Sequence, residues 1–171
     1  MQDIRGKAIT LVLGGVRSGK SRFAQALGER TSSVAFVATA QPLDEEMRMK
    51  IQRHQAERPT EWRTIEEPLE LDRVLAEEGS KHAILVVDCL TLYAANLLEA
   101  ERGNPAAIEQ RLQRFYAALR SAPCSVALVS NEVGSGIVPA ASACLCRSLC
   151  HPSNRPFATV CGCGLDAVRI P

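Results

Sequence analysis

The chain has 171 residues, of which 46% are hydrophobic and 23% charged, and its formal net charge is +1. This length suits one α/β domain with its own core, and the near-zero charge argues against a partner bound by bulk electrostatics, such as nucleic acid. The chain contains no apolar run near the ~20 residues that a membrane span requires. Because the first predicted strand begins directly after residues 1–7, we expect no signal peptide and a cytoplasmic location.

Apolar runs of strand length alternate with amphipathic stretches of helix length along most of the chain. These patterns predict strands at 8–13, 34–38, 83–88 and 125–130, a weaker strand at 62–66, and helices at 20–30, 44–57, 68–78, 90–101 and 105–121. The apolar runs are continuous, which is typical of strands buried on both faces. The sequence therefore predicts a single α/β domain with a mostly parallel sheet covered by helices.

The first strand is followed by a phosphate-binding motif. Residues 14–21 fit G-x-x-x-x-G-K-[ST] without a mismatch: Gly14, Gly15, Val16, Arg17, Ser18, Gly19, Lys20 and Ser21. Backbone N–H groups and the N-terminus of the next helix would face a polyphosphate. Lys20 would reach the β- and γ-phosphates, and the Ser21 hydroxyl would bind Mg²⁺. A chance match of a Gly-rich turn is disfavoured by the flanking strand and helix, so we predict a P-loop domain of the RecA-like type.

A second motif is the strand end Val86-Val87-Asp88. An acidic residue at the end of a buried strand is typical of a Walker B strand, in which it faces the Mg²⁺ beside the P-loop. The alternative is that Asp88 caps the following helix.

The predicted helix 44–57 contains a histidine near its end. Helical spacing puts Met47, Ile51 and His54 on one face. A histidine that ends an apolar stripe is often a core or capping residue. However, this helix follows the second strand, whose carboxyl end should open onto the nucleotide. Neutral imidazole there is a competent nucleophile toward phosphorus, and Arg58 offers a cation near the same place.

After the last predicted strand come two glycines in Asn131-Glu132-Val133-Gly134-Ser135-Gly136-Ile137-Val138-Pro139. They suit a loop that wraps around a ligand, although a plain strand-to-helix connection gives the same pattern.

Together these segments resemble the bifunctional adenosylcobinamide kinase/adenosylcobinamide-phosphate guanylyltransferase family of cobalamin biosynthesis. The resemblance covers residues 8–139 and rests on six motifs in order: the P-loop, Ala38-Thr39-Ala40-Gln41, the Asp-Glu-Glu-Met…Ile-Gln-x-His…Arg-Pro helix, Trp62-Arg63-Thr64-x-Glu66, Val-Asp-Cys-Leu-Thr, and the loop that ends at Pro139.

The resemblance implies phosphorylation of adenosylcobinamide, then transfer of GMP from GTP to adenosylcobinamide phosphate through a guanylylated His54. It implies Lys20 as a second catalytic residue, Mg²⁺ on Ser21 and Asp88, ATP or GTP as substrates, and a homotrimer. It also implies further nucleotide contacts: Thr39, Ala40, Gln41, Gln55, Ala56, Glu57, Arg58, Glu66 and Asp88. Two alternatives are a P-loop small-molecule kinase without guanylyl transfer and an inactive nucleotide-binding paralogue.

The sequence divides into a catalytic domain at 1–139 and an atypical tail at 140–171. The tail lacks the charged helix and final strand expected of the family, and it contains five cysteines: Cys144, Cys146, Cys150, Cys161 and Cys163. Zinc binding with His151 would use unusual Cys-x-Cys spacing, and disulfides are rare in cytosolic chains. We favour out-of-frame translation, an irregular tail and an unpaired edge beside strand 125–130.

Overall fold

The computed structural model describes residues 7–131 and 165–170, which form a parallel sheet with helices on both faces. The strands are β1 (Ile9–Gly14), β2 (Val34–Ala38), β3 (Arg63–Glu66), β4 (Ile84–Asp88), β5 (Ser125–Asn131) and β6 (Leu165–Ile170). The helices are α1 (Lys20–Gly28), α2 (Glu45–Ala56), α3 (Leu71–Glu78), α4 (Leu90–Ala100) and α5 (Pro105–Ser121). The predicted α/β P-loop fold is confirmed.

The six strands lie in the order β3-β2-β4-β5-β1-β6, and every neighbouring pair is parallel. Because all strands run the same way, their carboxyl ends meet at one edge. The loops after β1, β2, β3 and β4 therefore open onto the same place, and these loops contain most of the predicted site.

The sheet separates two apolar layers. On one face, strand residues pack with α3, α4 and α5, and on the other they pack with α1. Strand β5 shows the alternation: Val126 and Leu128 belong to the first layer, and Ala127 and Val129 to the second. All four are at most 1% exposed. A strand buried on both faces needs apolar residues at every position, which explains the continuous runs in the sequence.

Helix starts follow local capping chemistry. Asn104 accepts hydrogen bonds from the amides of Ala106 and Ala107, and Pro105 occupies the first turn of α5. Asp44 caps α2 by accepting from the Met47 amide at 2.7 Å. Helix α2 has no buried residue, so its cap and its acidic first turn matter more for its stability than packing does.

Strand β6 corrects the prediction for the end of the chain. We expected no final strand after residue 139, but β6 pairs in parallel with β1 along its whole length. The expectation that β5 has an unpaired edge is also wrong, because β5 lies between β4 and β1. The segment 165–170 mixes apolar and polar residues in an edge strand, a weaker sequence signal than a continuous apolar run. The rest of the tail, including its cysteines, lies outside the described residues.

No helix in the described part of the chain is both long and apolar enough to cross a membrane.

Candidate active site

The P-loop joins β1 to α1 at the carboxyl edge of the sheet. Gly19 has a φ of 88°, a backbone conformation that favours glycine, and Arg17 also has a positive φ of 59°. These turns bring Lys20 back over the loop, where its Nζ donates a hydrogen bond to the Gly15 carbonyl. The lysine is 7% exposed, and burial is the main cause that lowers its pKa. A buried ammonium with one carbonyl partner leaves donors for a phosphate.

The Asp88 carboxyl group at the end of β4 lies at the centre of the site. Burial raises its pKa, while a hydrogen bond from the Ser21 hydroxyl acts in the opposite direction. Nearby charges also favour the carboxylate, in the order His54, Arg58, Lys20. The alternative that Asp88 caps α4 is wrong, because the cap position of that helix is Cys89.

Arg58, just beyond α2, is held over an aromatic ring. Its guanidinium carbon lies 3.8 Å from the centre of the Phe36 ring, a cation–π contact. Burial lowers the arginine pKa, and the charges of Asp88 and Glu66 raise it. Gln55 donates a hydrogen bond to Glu66 at 2.9 Å. The end of α2 is thereby linked to the end of β3.

Three buried polar atoms in this region have no hydrogen-bond partner among the described residues: Arg58 Nε, Arg58 Nη1 and Ser18 Oγ. Buried donors without partners are costly. An anionic ligand that accepts from them would remove this cost. They fit a phosphate-bearing ligand at this edge of the sheet.

A buried polar network connects the loops beneath the site. The Thr39 hydroxyl both accepts from the Cys89 amide and donates to the Cys89 carbonyl, each at 2.8 Å. The Thr39 amide donates to the Asp88 carbonyl at 3.1 Å. From α4, Asn96 Nδ2 donates to the carbonyls of Thr39 at 2.8 Å and Pro68 at 3.1 Å. The loops after β2, β3 and β4 are therefore fixed to one another.

His54 lies in the last turn of α2, and its side chain is 52% exposed. Its Nδ1 is 3.9 Å from the Glu57 carboxylate, and the imidazole lies near enough to Asp88 for a proton on the ring to favour that carboxylate. Met47 and Ile51 are half-buried. The face predicted from helical spacing is thus only partly covered, and the imidazole is accessible to a ligand.

The structure brings together Lys20, Ser21, Thr39, His54, Gln55, Arg58, Glu66 and Asp88. The other predicted contacts are less closely linked. Val16 is 83% exposed, and Glu57 pairs with Arg53 at 3.2 Å as well as facing His54. Ala40 and Gln41 are half-buried, and Ala56 is exposed. The roles of all these residues stay predictions.

Neither Phe36 nor Asn96 is marked as a site residue by the sequence alone. Phe36 is one apolar residue in the apolar strand β2, so nothing marks it as a partner of Arg58. Asn96 left a weak signal, because it is an amide within the apolar helix Leu90–Ala100.

A cavity of about 390 Å³ lies at the opposite, amino-terminal edge of the sheet, lined by residues such as Ser33, Trp62, Arg63 and His82. It contains no P-loop residue. We assign the nucleotide to the carboxyl edge because the P-loop, which joins β1 to α1, lies there.

A parallel sheet with this loop at its carboxyl edge defines the P-loop class of nucleotide-binding proteins. Consistent with that class, the fold is similar to a prototypical ATPase from the type III secretion system of pathogenic bacteria, with a TM-score of 0.57 and 12% identity. The match covers 84% of this chain and 49% of that one, and it bears on the fold alone.

The chain belongs to the cobinamide kinase / cobinamide phosphate guanyltransferase family, whose model matches residues 10–155. The predicted family is confirmed. The matched stretch runs beyond residue 139, so it includes part of the tail.

Individual relatives agree with this family. The bifunctional adenosylcobalamin biosynthesis protein CobP of Pseudomonas aeruginosa is 44% identical over 130 residues, which is 75% of this chain and 74% of that protein. The proteins named CobU are 39% identical in Escherichia coli and 40% in Salmonella typhimurium, each over 140 residues, 75% of this chain and 77% of the relative.

Proposed function

We propose that this protein phosphorylates adenosylcobinamide and then transfers GMP from GTP to adenosylcobinamide phosphate, using His54 as the nucleophile. Membership of the family supports the two reactions. The observation that supports this use of the site is the clustering of Lys20, Ser21, His54 and Arg58 around Asp88. A kinase alone needs no nucleophile on the protein, so an accessible imidazole beside a P-loop favours the transferase.

In the first half of GMP transfer, a ring nitrogen of neutral His54 attacks the α-phosphorus of GTP. An N–P bond forms, the bond from the α-phosphorus to the bridging oxygen breaks, and pyrophosphate leaves with the electron pair. The imidazole becomes positively charged before it loses its ring proton. The Glu57 carboxylate, 3.9 Å from Nδ1, stabilises that charge.

In the second half, a phosphate oxygen of adenosylcobinamide phosphate attacks the same phosphorus. The imidazole regains its ring proton, the N–P bond breaks as neutral imidazole leaves, and adenosylcobinamide-GDP forms. Splitting the transfer lets GMP remain on nitrogen while pyrophosphate departs and the corrinoid binds. Lys20 and the P-loop amides stabilise negative charge on the departing phosphates.

The kinase reaction uses the same phosphate cradle. The P-loop and Lys20 hold the β- and γ-phosphates of ATP or GTP while the substrate hydroxyl attacks the γ-phosphorus. As the new O–P bond forms and the hydroxyl gives up its proton to solvent, the bond to the β–γ bridging oxygen breaks and the nucleoside diphosphate leaves. Arg58 and Ser18 supply the buried donors that have no partner among the described residues.

Ser21 and Asp88 are the residues that would hold Mg²⁺. Their side chains lie close to each other, and burial penalises the charge of Asp88, a penalty that a divalent cation would offset. Hydroxyl and carboxylate oxygens are ligands that suit Mg²⁺. When bound, the ion neutralises charge on the phosphates.

The remaining parts of the proposal concern location, assembly and the end of the chain. We place the protein in the cytoplasm as a homotrimer. The domain boundary at residue 139 and an out-of-frame tail also stay proposals, since residues 140–164 lie outside the described part of the chain.

Product analysis separates the hypotheses. The protein is incubated with adenosylcobinamide, ATP and GTP, and the corrinoids are identified by chromatography and mass spectrometry. We expect adenosylcobinamide phosphate followed by adenosylcobinamide-GDP. Adenosylcobinamide phosphate without adenosylcobinamide-GDP would favour the small-molecule kinase. The absence of both products would favour the inactive paralogue. In His54→Ala, phosphorylation should persist while GMP transfer is lost.

A further inference from the structure

The described residues include few buried polar side chains, and Asn96 is one of them, at 8% exposure. It lies on α4, a helix whose neighbouring residues Tyr93 and Leu97 belong to the apolar core. A buried amide in such a helix costs free energy unless its donors are satisfied. The Asn96 donors are satisfied by two loops at the carboxyl edge of the sheet, where the candidate active site lies.

Both hydrogen bonds from Asn96 go to loop carbonyls rather than to its own helix. One acceptor is the carbonyl of Thr39, directly after β2, and the other is the carbonyl of Pro68, two residues after the end of β3. The residues are 57 and 28 positions away in the sequence. A single side-chain amide therefore holds together two loops that are distant in the sequence.

A third segment joins through Thr39. Its hydroxyl bonds to both backbone groups of Cys89, the residue after Asp88. The loop after β2 is thus fixed at two groups of Thr39. Asn96 binds the Thr39 carbonyl, and the Cys89 backbone binds the Thr39 hydroxyl.

We propose that Asn96 is a positioning residue for the nucleoside half of the nucleotide. The inference rests on the proposed function, in which the loop at Thr39 and Gln41 and the strand end at Glu66 contact the nucleotide. Asn96 fixes the backbone of these segments and touches no P-loop residue in the described contacts. It should therefore set affinity for the nucleoside end without affecting the phosphate cradle.

This division gives a test based on two ligands. Inorganic tripolyphosphate occupies the P-loop alone. A GTP analogue with a methylene α–β bridge occupies the whole site and cannot undergo GMP transfer. Both are titrated by calorimetry into wild type, Asn96→Ala and a control, Leu97→Ala. Leu97 is the next residue on α4, is fully buried, and contributes only to the core.

We expect Asn96→Ala to bind the GTP analogue about tenfold more weakly, the change that corresponds to one ordinary hydrogen bond. Tripolyphosphate affinity should stay within twofold of wild type. Leu97→Ala should lower the unfolding temperature and leave both affinities unchanged at temperatures where it is folded. Equal weakening of both ligands by Asn96→Ala would overturn the inference, as would no weakening of either.

If Asn96→Ala does not fold, Asn96→Ser replaces it, because the serine hydroxyl retains one donor in a smaller side chain. The same contrast between the two ligands decides the outcome. Labelling of wild type with [α-³²P]GTP is measured in parallel. If wild type is labelled but the Asn96 variant binds both ligands as wild type does, the inference alone is refuted. If wild type is not labelled but the variant shows the expected contrast between the two ligands, only the proposed guanylyl transfer is refuted.

Discussion

Replacing Lys20 by methionine should separate ligand binding from stability. The side chain is buried, its ammonium donates to the Gly15 carbonyl, and burial lowers its pKa. Two charge-assisted hydrogen bonds to the β- and γ-phosphates, at about 1.5–3 kcal/mol each, amount to about 3–6 kcal/mol. Lys20→Met should therefore raise the Kd for the methylene-bridged GTP analogue by about a hundredfold or more.

The free protein should respond differently. Because burial opposes the charged form of Lys20, removing the charge should leave the unfolding midpoint equal to that of wild type or slightly higher. The matched control is Lys81→Met at the amino edge of the sheet, where the lysine is exposed and donates to Glu78 at 3.0 Å. That variant should lose stability and keep its affinity.

Calorimetric titration and thermal unfolding of the two variants check the prediction. A Kd for Lys20→Met within threefold of wild type would refute the assignment of the P-loop. A loss of stability as large as that of Lys81→Met would refute the reasoning about burial.

Three further predictions concern packing and charge. Gly14→Ala should lower the free energy of unfolding by about 1–3 kcal/mol, and with it the unfolding midpoint. The reason is that an added Cβ would lie 2.7 Å from the Ile170 carbonyl oxygen in β6. Gly15→Ala, with nothing within 4 Å, should be nearly neutral. Phe36→Leu should weaken binding of the GTP analogue about tenfold, because Arg58 loses its aromatic support, and calorimetry measures this. Glu78→Gln should cost about 1–3 kcal/mol in urea unfolding at pH 7 and less near pH 4.

The pKa of Glu78 determines how the cost of Glu78→Gln depends on pH. A hydrogen bond from Lys81 is the main cause that lowers the pKa of the buried Glu78 carboxyl, and Arg63 and His82 add to it. The ionised group is therefore more favourable in the folded state. Its contribution is complete above the pKa of the unfolded chain and is lost as the pH falls through the folded pKa. A cost that did not decrease toward acid pH would contradict this account.

Specific results would also contradict the predictions for Gly14 and Phe36. If Gly14→Ala and Gly15→Ala were equally stable, the close approach of β6 to the P-loop would be wrong. If Phe36→Leu lowered stability but left affinity unchanged, Arg58 would not depend on its ring.

Continuous apolar runs made most of the fold predictable. The predicted strand 34–38 and helix 105–121 have the same bounds as β2 and α5, and the other elements differ by at most a few residues. Burial of both strand faces produces the runs, and the Asn104–Pro105 start fixes the longest helix. The order of strands could not be predicted in this way, because the pairing of β1 with β5 depends on contacts across more than a hundred residues.

The site was predictable where its chemistry is local. The P-loop residues follow one another in the sequence, and Asp88 ends a buried strand. Phe36 and Asn96 act through contacts with distant segments, so their side chains show their role only in the folded chain. Strand β6 was missed because its neighbours in the sequence are rich in cysteine and its own pattern is mixed.

The central claim is that His54 becomes guanylylated. Wild type, His54→Ala and His82→Ala are incubated with [α-³²P]GTP or [γ-³²P]GTP, denatured and tested for acid-labile label. His82 lies at the opposite edge of the sheet. We predict α-label on wild type and His82→Ala, none on His54→Ala, and no γ-label on any of them. Acid-labile α-label that persists on His54→Ala, or its absence from wild type, would contradict the account.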